Sequence, residues 1–265
     1  MILTLAVGSL ARTWRKGADR RRQLLEAPQF AIQQLGLRGL NVNASLLAGW
    51  GMDDLDALRD RADKAACPCL VLIEDTPQNF VRKPEAAQDR LRRLTSAATR
   101  LGCNSLAISV ESPENDDAFE ITAARLREVM PVVERVELNL LLSPHEGLTA
   151  DPERLTDLIK RVGGFRIGSL PSFGAAAKSK DAITYLRKIA PYAGAIHATV
   201  ADFGRGGRQP GYDLAECVQA IRSVGFTNTL AIDYVGHDDP IPVIEKARDI
   251  LQAAIDAHEP VAADE

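Results

Sequence analysis

Few side chains in this sequence can move a proton near neutral pH, and they are unevenly placed. The four histidines stand at 145, 197, 237 and 258. His145 lies in LLLSPHEGLT, residues 141–150, where an apolar run stops at a hydroxyl, a rigid proline, an imidazole and a carboxylate. Chain reversal alone needs only Gly, Asn or Asp, so Ser143 and His145 are candidate site groups. His197 lies inside the run AIHATV, and His237 follows TLAIDYVG. Acids end other β-type runs: Glu74, Glu111 and Asp233. A strand-terminal acid that faces inward is costly to bury unless it is paired or metal-bound. Asp233 is the strongest of these, whereas Glu74 and Glu111 could equally cap neighbouring helices. Imidazole and carboxylate together suit acid–base work beside a carbonyl, with His145, His197 and Asp233 sharing the roles.

Cations add an anion-binding option. Arg205 and Arg208 sit among glycines in ADFGRGGRQPG, residues 201–211. Glycines let backbone N–H groups approach a phosphate or carboxylate, and the competing reading is an exposed surface loop. Arg166 places a charge inside the apolar run GFRIGSL. Facing inward it must meet an acid or a substrate anion, and facing outward it would snorkel between helices.

The elements that must position these groups repeat along the chain. β-type runs are read at 2–7, 39–44, 70–74, 105–111, 136–142, 165–170, 195–200 and 229–234, starting roughly 28 to 37 residues apart. Helical patterns lie between them. Asp151-Pro152 makes a cap and first turn, Leu155, Leu158, Ile159 and Val162 mark one face, and Gly163-Gly164 stops the helix. Eight such units predict an α/β fold, a single closed (βα)8 TIM barrel over residues 1–257 with a flexible tail at 258–265. An open doubly wound sheet would want a Gly-rich first turn, and VGSLARTWRKG lacks GxGxxG. In the barrel, Ser143, His145, His197, Asp233 and His237 fall at or toward the C-terminal face, where barrels carry chemistry, and only His258 falls in the last helix or tail.

Bulk properties exclude several classes. The 265 residues are 46% hydrophobic and 26% charged with a net charge of −4, which argues against a general nucleic-acid binder. The basic stretch ARTWRKGADRRR reads as a solvated loop and first helical turn rather than a phosphate patch. The first residues read as a strand rather than a leader, no apolar run has a membrane-spanning length, and a cytoplasmic protein is expected. Cys67-Pro68-Cys69 lacks a zinc or CxxC spacing, so Cys67, Cys69, Cys103 and Cys217 read as buried thiols. An oligomer is possible.

From the fifth run onward the sequence resembles the xylose isomerase-like barrels, the sugar phosphate isomerase/epimerase superfamily, and the likeness covers nearly the whole chain. That family ends strand five with Glu-x-His, strand six with Asp-Pro-Ser-His, strand seven with His-x-His and strand eight with Glu. Here the motifs read Ser143-Pro144-His145, Leu170-Pro171-Ser172-Phe173, His197-Ala198-Thr199 and Asp233. The resemblance implies a small carbohydrate-like substrate and a Mn, Mg or Zn ion at four of these positions. Only Asp233 keeps a competent ligand, with His197 beside it, so no cofactor is expected and any divalent ion should bind weakly. Two functions follow as expectations. One is a metal-independent isomerase, epimerase or lyase acting on a sugar, polyol or sugar phosphate, with His145, His197, Asp233, Glu74 and Glu111 as its acid–base candidates. Ser143, Arg166, Thr199, Arg205, Arg208 and His237 would then contact substrate. The other is a non-catalytic barrel that binds a ligand or partners an active enzyme.

Overall fold

Eight short strands form the frame: β1 (Ile2–Ala6), β2 (Leu40–Asn43), β3 (Cys69–Ile73), β4 (Ser105–Ser109), β5 (Asn139–Ser143), β6 (Ile167–Ser169), β7 (Ala195–Val200) and β8 (Thr229–Tyr234). They come from a computed structural model that describes residues 1–11, 13–14, 18–204 and 207–257. Arg205, His258 and the tail 258–265 lie outside the described residues. All strand pairs are parallel, in the order β6-β5-β4-β3-β2-β1-β8-β7. Single parallel bridges at Ser169–Ala193 and Ser172–His197 close the circle between β6 and β7. The Gly194 N–H donates to the Ser169 carbonyl and the His197 N–H to the Pro171 carbonyl, each at 3.0 Å. The architecture is therefore a single (βα)8 barrel.

Alternation along each strand separates two apolar sets. Outward residues such as Leu5, Val42, Leu72, Ile108, Leu142, Ile196 and Ile232 belong to one large core shared with the helices. Inward residues Val71, Ala107, Leu141, Leu170 and Ala195 form a second, smaller cluster in the lumen. Missing side chains let that cluster close. A Cβ at Gly194 would fall 2.6 Å from Leu141 Cδ2, and one at Gly168 would fall 2.7 Å from the Tyr192 carbonyl.

The helices are stopped and started by identifiable chemistry. Asn115, Asp151, Asp181, Asp213 and Asp239 each accept a hydrogen bond from a first-turn N–H of the helix that follows, a contact that typically stabilises by about 1 kcal/mol. Gly102 ends Pro84–Leu101 in the left-handed region at φ 76°.

Two strands start later than the sequence pattern suggests. Val136 is the C-cap of helix Asp116–Arg135, and Glu137 turns the chain with φ 59°, so β5 begins at Asn139. Phe165 is fully exposed and β6 begins only at Ile167. All four cysteines are free and buried. Burial pushes the Cys67, Cys69 and Cys217 thiols up to about 12, which keeps them unreactive.

Candidate active site

The lumen is polar on one side and apolar on the other. Inward positions on β1, β2, β7 and β8 include Thr4, Asn41, Asn43, His197, Thr199 and Asp233, while β3, β5 and β6 contribute Val71, Ile73, Leu141 and Leu170. Ladder register sets the heights. Thr199 pairs with Asp233 and Ser109 with Ser143, so these four form the rim at the strand C-termini. His197 pairs with Ala231, which pairs with Thr4, one layer below.

His197 joins both sides of the polar half. Its Nδ1 lies 3.5 Å from Asp233 Oδ2. Its Nε2 lies 3.1 Å from Asn41 Nδ2, which reaches across the lumen from β2. Asn41 is fully buried and His197 is 9% exposed, whereas the Asp233 side chain retains 30% of its accessible surface. The three side chains run from the buried interior to the rim: amide, imidazole, carboxylate. The Thr199 Oγ1 beside them is buried without a hydrogen-bond partner, while Tyr212 Oη donates to the Thr199 carbonyl at 2.6 Å. A Cβ on Gly174 would come within 3.0 Å of that Oγ1.

The other residues singled out in the sequence are placed differently. Glu74 is buried but ends β3 on its outer side, where Arg90 pairs with its Oε2 and the Thr76 N–H donates to Oε1 at 2.9 Å. It is thus an ion-pair partner of helix Pro84–Leu101. Arg166 is corrected in the same way. It precedes β6 at the strand's N-terminal end, opposite the rim, and donates to the Glu137 carbonyl at 2.6 Å. Glu111 is exposed, and its backbone N–H donates to the Gln78 carbonyl at 3.0 Å. His145 is half-buried against a cleft of about 180 Å³ lined by Pro144, Glu146, Ala175, Lys178 and Tyr185, none of which lines the His197 group. Arg208 is exposed beside a cleft of about 360 Å³ that also touches Phe203, Tyr212 and Ile250. Ser143 is half-buried at the rim.

His237 belongs to a loop latch. Its N–H donates to Asp202 Oδ2 at 2.9 Å, and Tyr234 Oη donates to Asp202 Oδ1. The Tyr234 hydroxyl, helped by the His237 and Asp238 N–H groups, holds the Asp202 carboxyl below the usual carboxylate range. Burial, reinforced by Asp202, pushes the Tyr234 phenol up to about 12. Neither Asn41 nor Asp202 was recognisable as chemistry in the sequence. The available signal for Asn41 was the pair Asn41 and Asn43 in GLNVNA, whose spacing of two turns both amides inward.

A divalent ion does not fit this donor set. Leu170 occupies its position with an alkyl chain, 5% exposed and packed in the apolar cluster. Ser143 and Thr199 offer neutral hydroxyls, and the His197 ring has its two nitrogens turned to Asn41 and Asp233. Among the described residues, no three His, Cys, Asp or Glu side chains converge on a point. Hard divalent ions want several anionic oxygens and catalytic zinc normally takes three protein ligands.

Comparison with known proteins places this barrel. A sequence model described as xylose isomerase-like TIM barrel matches residues 29–254. The chain belongs to the xylose isomerase-like TIM barrel family. A search of curated proteins returns no match. Among solved structures, an L-ribulose 3-epimerase superposes with a TM-score of 0.78 at 16% identity, covering 100% of this chain and 98% of its own. D-psicose 3-epimerase with D-tagatose, from Clostridium cellulolyticum H10, gives 0.72 at 16% identity, covering 97% and 98%. An IOLI protein with a bound zinc atom gives 0.73 at 12% identity, covering 98% and 100%. At these identities the likeness concerns the fold. Among its described residues, no helix is long and apolar enough to cross a membrane.

Proposed function

We propose that this xylose isomerase-like barrel moves a proton on a sugar, polyol or sugar phosphate, by isomerisation, epimerisation or elimination, using Asp233 and His197 and no divalent ion. The observation that carries the proposal is the 3.5 Å approach of His197 Nδ1 to Asp233 Oδ2 at the rim of the lumen. Asp233 is the exposed member, so its carboxylate meets the substrate. It accepts the proton from the carbon beside a carbonyl, and the C–H electron pair moves into the carbonyl to give an enediolate; the proton of the neighbouring hydroxyl passes to the enediolate oxygen, and Asp233 returns its proton to the former carbonyl carbon, which completes an isomerisation. His197 stands behind Asp233 with an N–H that keeps the carboxylate oriented. The hydroxyls of Ser109 and Ser143 at the rim are of the type that binds sugar hydroxyls. The family neighbours named for ribulose and psicose support a carbohydrate ligand.

The test is solvent exchange, which detects proton abstraction even without net turnover. The protein is incubated in D2O with a panel of ketoses, aldoses, polyols and sugar phosphates, and loss of the α-proton signal is followed by NMR. At least one compound should exchange, and His197→Ala and Asp233→Ala should each slow it by about 10²-fold or more. The rate should survive dialysis against a chelator, with elemental analysis showing well under one metal equivalent per chain. Exchange that survives both substitutions refutes the proposed roles. Exchange that disappears on chelation and returns with one metal equivalent refutes the metal-independent chemistry. Binding of a panel member without exchange assigns the barrel to ligand binding instead.

A further inference from the structure

We infer that Asn41 is a positioning residue that, together with Asp233, fixes which nitrogen of His197 carries the proton. The argument starts from the carboxylate. Asp233 Oδ2 faces His197 Nδ1 at 3.5 Å, and a carboxylate has only lone pairs to offer. A neutral ring therefore carries its hydrogen on Nδ1, leaving a bare lone pair on Nε2. That lone pair is buried in the lumen, where a donor must meet it. Asn41 Nδ2 stands 3.1 Å away and is a donor. The opposite amide orientation would aim Oδ1 at the Nε2 lone pair and leave two acceptors facing each other. Asn41 Oδ1 is meanwhile buried with no hydrogen-bond partner, so the contact that the amide makes is with the ring. An Asn held across the lumen with one polar atom unsatisfied contributes little as packing. Its fit is to the ring.

The consequence for catalysis rests on the proton-transfer reading, but the tautomer does not, and it can be measured in protein that turns nothing over. The protein is labelled with ¹⁵N, and the His197 ring signals are assigned by their loss in His197→Gln. Protonated and bare ring nitrogens resonate far apart. At about pH 9, above the ordinary imidazole range, wild type should show the hydrogen on Nδ1 and a bare Nε2. Asn41→Asp replaces the donor by an acceptor of the same shape, leaves the ring between two carboxylates and should put a hydrogen on Nε2. A wild-type ring protonated on Nε2 overturns the inference by itself, even if no variant folds. A bare Nε2 in folded Asn41→Asp overturns it as well. Where exchange activity is found, Asn41→Asp should slow it at least about tenfold, because a second carboxylate then competes with Asp233 for the ring's hydrogen. The expected ring signals without any exchange would leave Asn41 as the tautomer-setting residue and remove the catalytic proposal alone.

Discussion

Leu170→Asp places a carboxylate directly after β6, inside the lumen, and its effect can be worked out from the packing. Leu170 is 5% exposed among Val71, Ala107, Leu141 and Ala195. Losing its buried alkyl surface costs about 2 kcal/mol. The new carboxyl enters an apolar cluster, where burial can raise its pKa by about 3 units, equivalent to about 4 kcal/mol at neutral pH. At 2–4 °C per kcal/mol for a chain of this size, the melting temperature should fall by roughly 12–24 °C.

The pH dependence fixes the sign. The folded pKa of the introduced carboxyl lies above its unfolded value of about 3.9, so the native state keeps a proton the unfolded chain has lost. The ionisation penalty is absent below about pH 3.9, grows as pH rises and levels off above the folded pKa. Denaturant titrations at low and neutral pH should therefore differ by a few kcal/mol more in the variant than in wild type. Zinc should not rescue it, since His197 and Asp233 are turned to each other and Ser143 and Thr199 offer only neutral hydroxyls. A variant within about 1 kcal/mol of wild type at pH 7 would refute the dry, packed lumen. A zinc-dependent rise in its melting temperature, not seen in wild type, would refute the statement that the donor set cannot hold an ion.

Other substitutions separate the lumen from its surroundings. Glu74→Gln should lower stability by roughly 1–3 kcal/mol, because it breaks a pair whose acid is buried, yet it should change exchange rates less than about threefold. A 10²-fold loss would return Glu74 to the chemistry. Tyr234→Phe removes the leading contact that holds the Asp202 carboxyl below its usual range. That contact contributes stability above the unfolded carboxyl value and loses it as pH falls through the folded value. The wild-type melting temperature should therefore drop more steeply at acid pH than that of Tyr234→Phe, and parallel acid limbs would contradict the latch.

The barrel was legible because its signals are redundant. The runs at Ala195–Val200 and Thr229–Tyr234 match the strands residue for residue, since β-branched and apolar residues alternate with groups that face the lumen. The misreadings came where local pattern and tertiary packing part. Val136 looks like strand, but the helix before it runs to Arg135 and the chain turns at Glu137. Arg166 looked like a charge inside a strand because the strand was read two residues too early. The site was legible only in part. Scarce histidines and a strand-terminal acid drew attention to His197 and Asp233, but nothing local distinguishes Glu74, which Arg90 claims from sixteen residues away.

Asn41 shows why the remainder was hidden. In sequence it is a neutral amide in a short strand, with no titratable group to mark it. Its significance comes from distance across the lumen, 156 residues away in the chain, and from a ring nitrogen that the fold leaves needing a donor. The same reasoning explains how the lumen can change chemistry while the barrel persists. An Asp at position 170 would need a cation or other partner to be buried, but Leu170 needs only apolar neighbours, and Leu141, Val71 and Ala195 supply them. The His197 imidazole on the opposite side finds its partners among protein groups. The Asn41 amide and the Asp233 carboxylate are those partners, so the proton on His197 is set by hydrogen bonding where a metal-bound ring would have its lone pair taken by the ion.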